Sequence, residues 1–191
     1  MPRWEGDARR RLQLAALELF HSRGYDGVTV AEIAAAAGLT ERTFFRHYAD
    51  KREVLFRGQA EYERGFLDGL AEAPGDDPMA LVVAALDRGA DFFSAERRPW
   101  SRARQTVVDA TPALQERELL KLSALASALT RALVDRGIDP VPAALAAESG
   151  ATVFRTAFTV WIADGEERSF AEVVHAVLAE LHSVLAVARR P

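Results

Sequence analysis

The sequence predicts an all-α protein of about nine helices, and three observations carry that prediction. Apolar residues recur at helical spacing along nearly the whole chain. No run of about four to eight β-branched residues with strict alternation interrupts them. Prolines and glycines fall where helices would start and stop, as at Pro99, Pro112, Gly137, Pro142 and Gly165.

The first helix is expected from about Asp7 to Ser22. Leu12, Ala16, Leu19 and Phe20 form its stripe and Arg23-Gly24 its stop. Thr29-Val30-Ala31-Glu32 reads as a capping box: the Thr29 hydroxyl accepts from the Glu32 backbone N–H while the Glu32 side chain returns to the cap. Val28 and Ile33 fit the accompanying hydrophobic staple. This second helix is short, because Gly38 follows the run Ala34 to Ala37 and can take the left-handed conformation that ends a helix. Thr40 caps a third helix, with Leu39 and Phe44 as its staple. Asp50-Lys51-Arg52-Glu53 is a further box, opening a fourth helix expected to reach about Ala71. The Pro- and Gly-containing stretch Glu72–Pro78 then breaks the chain. Longer helices are expected over about Pro78–Ala95, Pro99–Ala110, Pro112–Arg136, Pro142–Ala163 and Phe170–Ala188. The expected domains are residues 1–52 and 53–191.

Charge is unevenly spread. The formal net charge is −4, yet residues 1–55 hold 9 Arg/Lys against 8 Asp/Glu, or +1, leaving −5 for the remainder. Cations cluster at Arg9-Arg10-Arg11, Arg42, Arg46 and Lys51-Arg52. Arg9 to Arg11 either touch flanking phosphates or form a solvated helix start. With no cysteine, a disulfide framework and a structural zinc site are both excluded. His21, His47, His175 and His182 make no H-E-x-x-H pair, and no nucleophile elbow or phosphate loop appears. No enzyme, catalytic residue, metal or cofactor is expected. The opening residues lack the apolar stretch of a signal peptide, and no block of about 20 apolar residues is present. A cytoplasmic protein is expected, with no membrane partner.

Two short capped helices about a tight glycine turn make a helix-turn-helix, whose second helix enters the major groove of DNA. The segment from Tyr25 through Gly38, Thr40, Thr43, Phe44 and Tyr48 to Lys51 resembles the signature of TetR-family regulators nearly position for position. The resemblance covers about residues 8 to 57. It implies a three-helix DNA-binding domain, a larger ligand-binding and dimerisation domain, and repression relieved by a small molecule.

On the third helix Phe44 and Tyr48 stand at i and i+4 and can pack inward, which turns Arg42, Phe45 and Arg46 outward, with Glu41 and Thr43 nearer the edge. Arg42 and Arg46 can donate to guanine or phosphate, Glu41 can accept from cytosine, and Phe45 can contact a thymine methyl or the backbone. Thr29 and Thr40 cap helix starts that favour phosphate. The resemblance implies backbone contacts for His47 and Lys51. Phe45 stands where the family often has tyrosine, which removes a hydroxyl from that contact.

Farther on, Phe170, Val174, Val177, Leu178, Leu181 and Leu185 form one apolar stripe, and Ala147, Ala151, Phe154, Phe158 and Trp161 another. The resemblance implies that the last two helices pair with those of a second copy. Phe92, Phe93, Trp100, Phe154, Phe158 and Trp161 either wall an apolar pocket or fill the bundle core, and Arg104 either meets an anionic ligand or pairs within the protein. Arg98-Pro-Trp-Ser-Arg-Ala-Arg104 with the Asp109–Arg117 stretch resembles the subgroup containing the mycofactocin-type regulator. That resemblance implies an acyl-CoA-like effector. The competing expectation is a helical module that binds protein rather than operator DNA.

Overall fold

The computed structural model describes residues 3–56 and 59–187. Among them stand nine α-helices: α1 (Arg3–Arg23), α2 (Val30–Ala36), α3 (Glu41–His47), α4 (Gln59–Glu72), α5 (Pro78–Ala90), α6 (Arg98–Asp109), α7 (Pro112–Asp135), α8 (Pro140–Trp161) and α9 (Phe170–Val187). Two 3-10 segments, Arg52–Phe56 and Ala95–Arg97, complete the regular structure, and no strand occurs among the described residues. The all-α expectation holds. No helix among the described residues is long and apolar enough to cross a membrane.

The chain divides into two compact units, Met1–Arg57 with Trp100–Leu119, and Gly58–Pro99 with Leu120–Pro191. The first is larger than the segment 1–52 expected from the sequence, because Val107, Val108 and Leu114 join Leu12, Ala16, Phe20, Ile33, Phe44 and Leu55 in one core. Nothing in the helical periodicity of residues 100–119 announces that partnership.

α1 starts at Arg3 rather than about Asp7 and α8 ends at Trp161 rather than Ala163, and three further boundaries also differ from expectation. Asp50 does cap the segment after it, its Oδ1 accepting from the backbone N–H of Arg52 at 2.8 Å and of Glu53 at 3.1 Å. The capped residues wind as the 3-10 segment Arg52–Phe56, in which Val54, Leu55 and Phe56 are all buried. The α-helix begins only at Gln59. α5 stops at Ala90 rather than Ala95: Phe92 and Phe93 donate to the carbonyls of Gly89 and Ala90, the tightened bonding that ends a helix. α8 starts at Pro140, after Asp139, and places the expected Pro142 inside its first turn.

In the second unit the core is built from Phe66, Leu81, Leu86, Leu125, Leu129, Trp161 and Phe170. α4 and α5 approach closely at Gly69, where an added Cβ would lie 2.6 Å from Arg88 Cβ, 2.7 Å from the Ala84 carbonyl oxygen and 3.1 Å from Ala85 Cα. Two of those neighbours are backbone, so accommodating a methyl group requires the helices to part. Gly69→Ala is therefore expected to destabilise the protein by about 1–3 kcal/mol despite alanine's better helix propensity. A urea titration followed by circular dichroism measures it, and unchanged or raised stability would contradict the close approach.

Candidate nucleic-acid interface

The first unit presents a short helix held rigidly from behind. α2 opens on Thr29, whose hydroxyl accepts from the Glu32 backbone N–H at 3.2 Å, while the Glu32 carboxylate accepts from both the Thr29 backbone N–H and its hydroxyl at 2.8 Å. Arg23 pairs with the same carboxylate at 2.8 Å. The backbone N–H of Thr29, then its hydroxyl, then Arg23 hold the Glu32 carboxyl down at about 2.

At the far end of α2, Gly38 adopts φ +64°, and the N–H groups of Gly38 and Leu39 return to the carbonyls of Ala35 and Ala34. Only glycine takes that backbone conformation without strain. Arg11 of α1 donates to the carbonyls of Ala37 and Gly38, covering the turn. Within two residues of Gly38, Thr40 caps α3, accepting from the Thr43 N–H at 3.2 Å and sharing a hydroxyl–hydroxyl bond with Thr43 at 3.1 Å.

On α3 the ring of Phe44 is fully buried and that of Tyr48, just past the helix, nearly so, their centroids 5.4 Å apart. Glu41, Arg42, Phe45 and Arg46 are exposed, and Thr43 and His47 are half-buried. Phe45 leaves 54% of its surface open, a large apolar ring in water that meets the Phe44 ring edge to face, centroids 5.5 Å apart. Four side chains of different chemistry thus share one solvent face: two guanidiniums that donate, one carboxylate that accepts, one ring.

Two of the expected site residues have work inside the unit. Lys51 Nζ donates to the carbonyls of Tyr25 at 2.8 Å and Val28 at 2.9 Å and lies 4.0 Å from the centroid of the Tyr25 ring, tying down the loop before α2. His47 Nδ1 accepts from Arg9 Nε at 3.2 Å, and its Nε2 lies 3.4 Å from Arg46. Tyr48 donates its hydroxyl to the Arg9 carbonyl at 3.3 Å. Arg9 and Arg11 are legible in the sequence only as part of a basic run. Their roles in holding α3 and the turn come from tertiary geometry that no local motif announces.

The seven residues named for a ligand pocket do not all meet. Phe92, Phe93, Phe154, Phe158 and Trp161 come together in the second unit, Phe93 lying 5.4 to 5.8 Å from each of the others. Tyr62, Phe66 and Phe170 join them, Tyr62 at 5.6 Å from Phe154 and Phe170 at 4.5 Å from Phe93. The first two stand four apart on α4, a spacing that marks an aromatic pair in the sequence. Trp100 and Arg104 belong instead to the first unit. There Arg104 donates to the Leu55 carbonyl at 3.0 Å and to Glu118 at 2.8 Å, and covers the Phe56 ring at 4.7 Å. No group of three or more His, Asp or Glu among the described residues can hold a metal ion.

Residues 14–57 match the family model for bacterial regulatory proteins of the tetR family. The chain is 40% identical over 78 residues to the HTH-type transcriptional regulator TcmR of Streptomyces glaucescens, covering 40% of this chain and 34% of that protein. It is 32% identical over 104 residues to MftR of Mycobacterium tuberculosis, a proposed mycofactocin biosynthesis transcriptional regulator, covering 52% of this chain and 50% of that one. The chain thus spans between a third and a half of the length of these curated relatives. Among solved structures, FadR of Bacillus subtilis in complex with stearoyl-CoA shares the fold at 16% identity and a TM-score of 0.61, over 90% of this chain and 96% of that one.

Two measurements check this geometry. The Glu32 carboxyl should titrate by NMR near pH 2 rather than near its ordinary 4.5. A depressed carboxylate contributes stability that is fully present above the ordinary value and is lost as pH falls through the folded one, so the α2 cap should persist at about pH 4 and fail near 2. Thr29→Ala removes the hydroxyl but not the backbone donor, so the inflection should rise yet stay below 4.5. Separately, Lys51→Met removes the ammonium donor from the Tyr25 and Val28 carbonyls, of which that of Tyr25 keeps only the Val28 N–H at 3.4 Å, and should lower the unfolding free energy by about 1–3 kcal/mol. A lysine serving phosphate alone would change DNA affinity and leave the urea midpoint where it was.

Proposed function

We propose that this chain is a regulatory protein of the tetR type that acts in the cytoplasm as a dimeric, effector-released repressor at a palindromic operator. The family model that residues 14–57 match and the two curated relatives, both transcriptional regulators, support that reading. The observation that carries the finer reading is the exposed face of Glu41, Arg42, Phe45 and Arg46 on a helix locked from behind by Phe44 and Tyr48. Such a face can lie in a major groove and read base edges, with Arg42 and Arg46 toward guanine or phosphate and Glu41 toward cytosine. Thr29, Thr40, Thr43, His47 and Lys51 are proposed to position the backbone around it, Lys51 through the loop it ties as well as by its charge.

One copy carries a single short reading helix on a segment of only +1 formal charge between residues 1 and 55. Specific affinity at physiological salt then calls for two copies spaced by operator symmetry. α8 and α9 leave large apolar side chains in solvent, Val141 at 68%, Leu145 at 65%, Val184 at 66% and Leu185 at 54% exposed, which supports their pairing with a second copy. For the effector we propose a small, largely apolar molecule bound at the aromatic cluster of Phe92, Phe93, Phe154, Phe158 and Trp161. The stearoyl-CoA held by the FadR structure makes acyl-CoA-like compounds the first to test.

Selection of duplexes from a random pool by the purified protein should yield a palindrome. Arg46→Ala should then weaken binding by about 1–3 kcal/mol, or roughly 5- to 150-fold, with helical content and dimer unchanged. Failure to bind any duplex at low salt, where phosphate contacts are strongest, would overturn the proposal.

A further inference from the structure

Two donors in the second unit are buried and meet no acceptor. The indole Nε1–H of Trp161, a residue with 0% of its surface exposed, has no hydrogen-bond partner, and neither does the Nε–H of Arg98. They belong to one place, since the Arg98 guanidinium carbon lies 5.0 Å from the Trp161 ring centroid. The other two guanidinium nitrogens donate to the carbonyls of Glu166 and Arg168 in the turn between α8 and α9. These bonds fix the guanidinium plane and leave its Nε edge unmet.

The nearby carboxylate is already engaged. Glu166 accepts from Arg168 Nε at 3.0 Å and from its backbone N–H at 2.9 Å, and the Arg168 guanidinium holds the Glu166 carboxyl down at about 2. The charge of Arg98 therefore has no carboxylate partner among the described residues. Around the two donors stand Phe93, Phe158 and Phe170, with centroids 5.8, 6.2 and 5.6 Å from that of Trp161. Phe93 and Phe158 are half-buried.

Folded proteins rarely leave buried donors unmet, because an N–H without an acceptor loses its hydration and gains nothing. Here two coincide beside an uncompensated positive charge and an apolar wall. The matching chemistry is an anionic oxygen acceptor on a hydrocarbon or aromatic body. We propose that Trp161 Nε1–H and Arg98 Nε–H anchor the carboxylate of a small apolar acid at the effector site. A carboxylate is a stronger acceptor for these donors than the neutral carbonyl of a thioester or the hydroxyl of an alcohol. This rests on the reading of the chain as an effector-controlled regulator.

Calorimetric titration of the full chain, without DNA, compares decanoate and 4-phenylbutyrate with decanol and 4-phenylbutanol. At least one acid should bind about tenfold or more tightly than its alcohol. On acid binding the Trp161 indole N–H resonance, identified by its loss in Trp161→Phe, should move downfield. Trp161→Phe keeps a ring and removes the donor, while Arg98→Lys keeps the charge and a donor for the turn but removes the Nε–H. Each should weaken acid binding about tenfold and leave alcohol binding unchanged. Equal affinity for acids and alcohols, no acid binding at all, or an unmoved indole resonance overturns the proposal. A separate gel shift tests the underlying reading: an acid that binds as expected yet fails to release operator DNA leaves the anchor standing and removes the effector role.

Discussion

The first unit depends on the burial of Phe44. α3 is 7 residues long, far below the length at which a helix sustains itself in water. Its stability must come from packing and capping. The Phe44 ring is closed on every side by a core that includes Leu12, Ala16, Ile33 and Leu55, and burying a side chain of that size contributes about 1.5–3 kcal/mol. Everything on the opposite face is set by this one commitment. With Phe44 inward, helical geometry sends Arg42, Phe45 and Arg46 outward, and the caps at Thr40 and Gly38 fix where the helix begins. The exposed face of α3 is in this sense the remainder after the core has been satisfied.

Arginine chemistry organises much of the rest. Net charge alone would rank this chain as a poor binder of DNA, yet several of its arginines, exposed or not, donate to main-chain carbonyls. Arg11 covers the carbonyls at the end of α2, and Arg136 donates to those of Leu70, Ala71, Ala73 and Gly75 after α4. Arg98 does the same for the α8–α9 turn, and Arg104 for Leu55. A planar guanidinium with several fixed donors suits a cluster of orphan carbonyls better than an ammonium does. Arg42 and Arg46 are exposed, as Arg11 and Arg136 are, but meet no main-chain carbonyl among the described residues.

How legible each feature is in the sequence depends on how local it is. The Thr29–Glu32 box, the Thr40 cap, the Gly38 turn and the inward Phe44 and Tyr48 are set by residues within four positions of one another, and all are readable. The capping role of Asp50 is readable too, although the 3-10 winding after it is not. That winding accompanies three consecutive buried residues, Val54, Leu55 and Phe56, whose core partners include Val107, Val108 and Leu114 far along the chain. Lys51 and Arg9 read as surface cations for the same reason: the carbonyls and the imidazole that they meet lie more than twenty positions away. The aromatic residues of the second unit stand out in the sequence, but Trp100 and Arg104 group with them there only because sequence proximity to Phe92 and Phe93 says nothing about which core a helix joins.

The amino-terminal segment has the same dependence on distant residues. Residues up to about 57 contain every motif of the helix-turn-helix, yet they do not close their own core. Leu55 is 1% exposed, in a cluster completed by Val108 and Leu114, both fully covered. Arg104 takes the Leu55 carbonyl, and Arg117 pairs with Glu53 on the same segment. Removing residues 100–119 would expose apolar surface at Val54, Leu55 and Phe56 and leave Glu53 and the Leu55 carbonyl without those arginines. The packing of α3 thus depends, through Leu55 and Phe44, on a stretch whose chain continues at both ends into the other unit. A motif that looks self-contained in sequence is completed, in the fold, by residues that carry no motif at all.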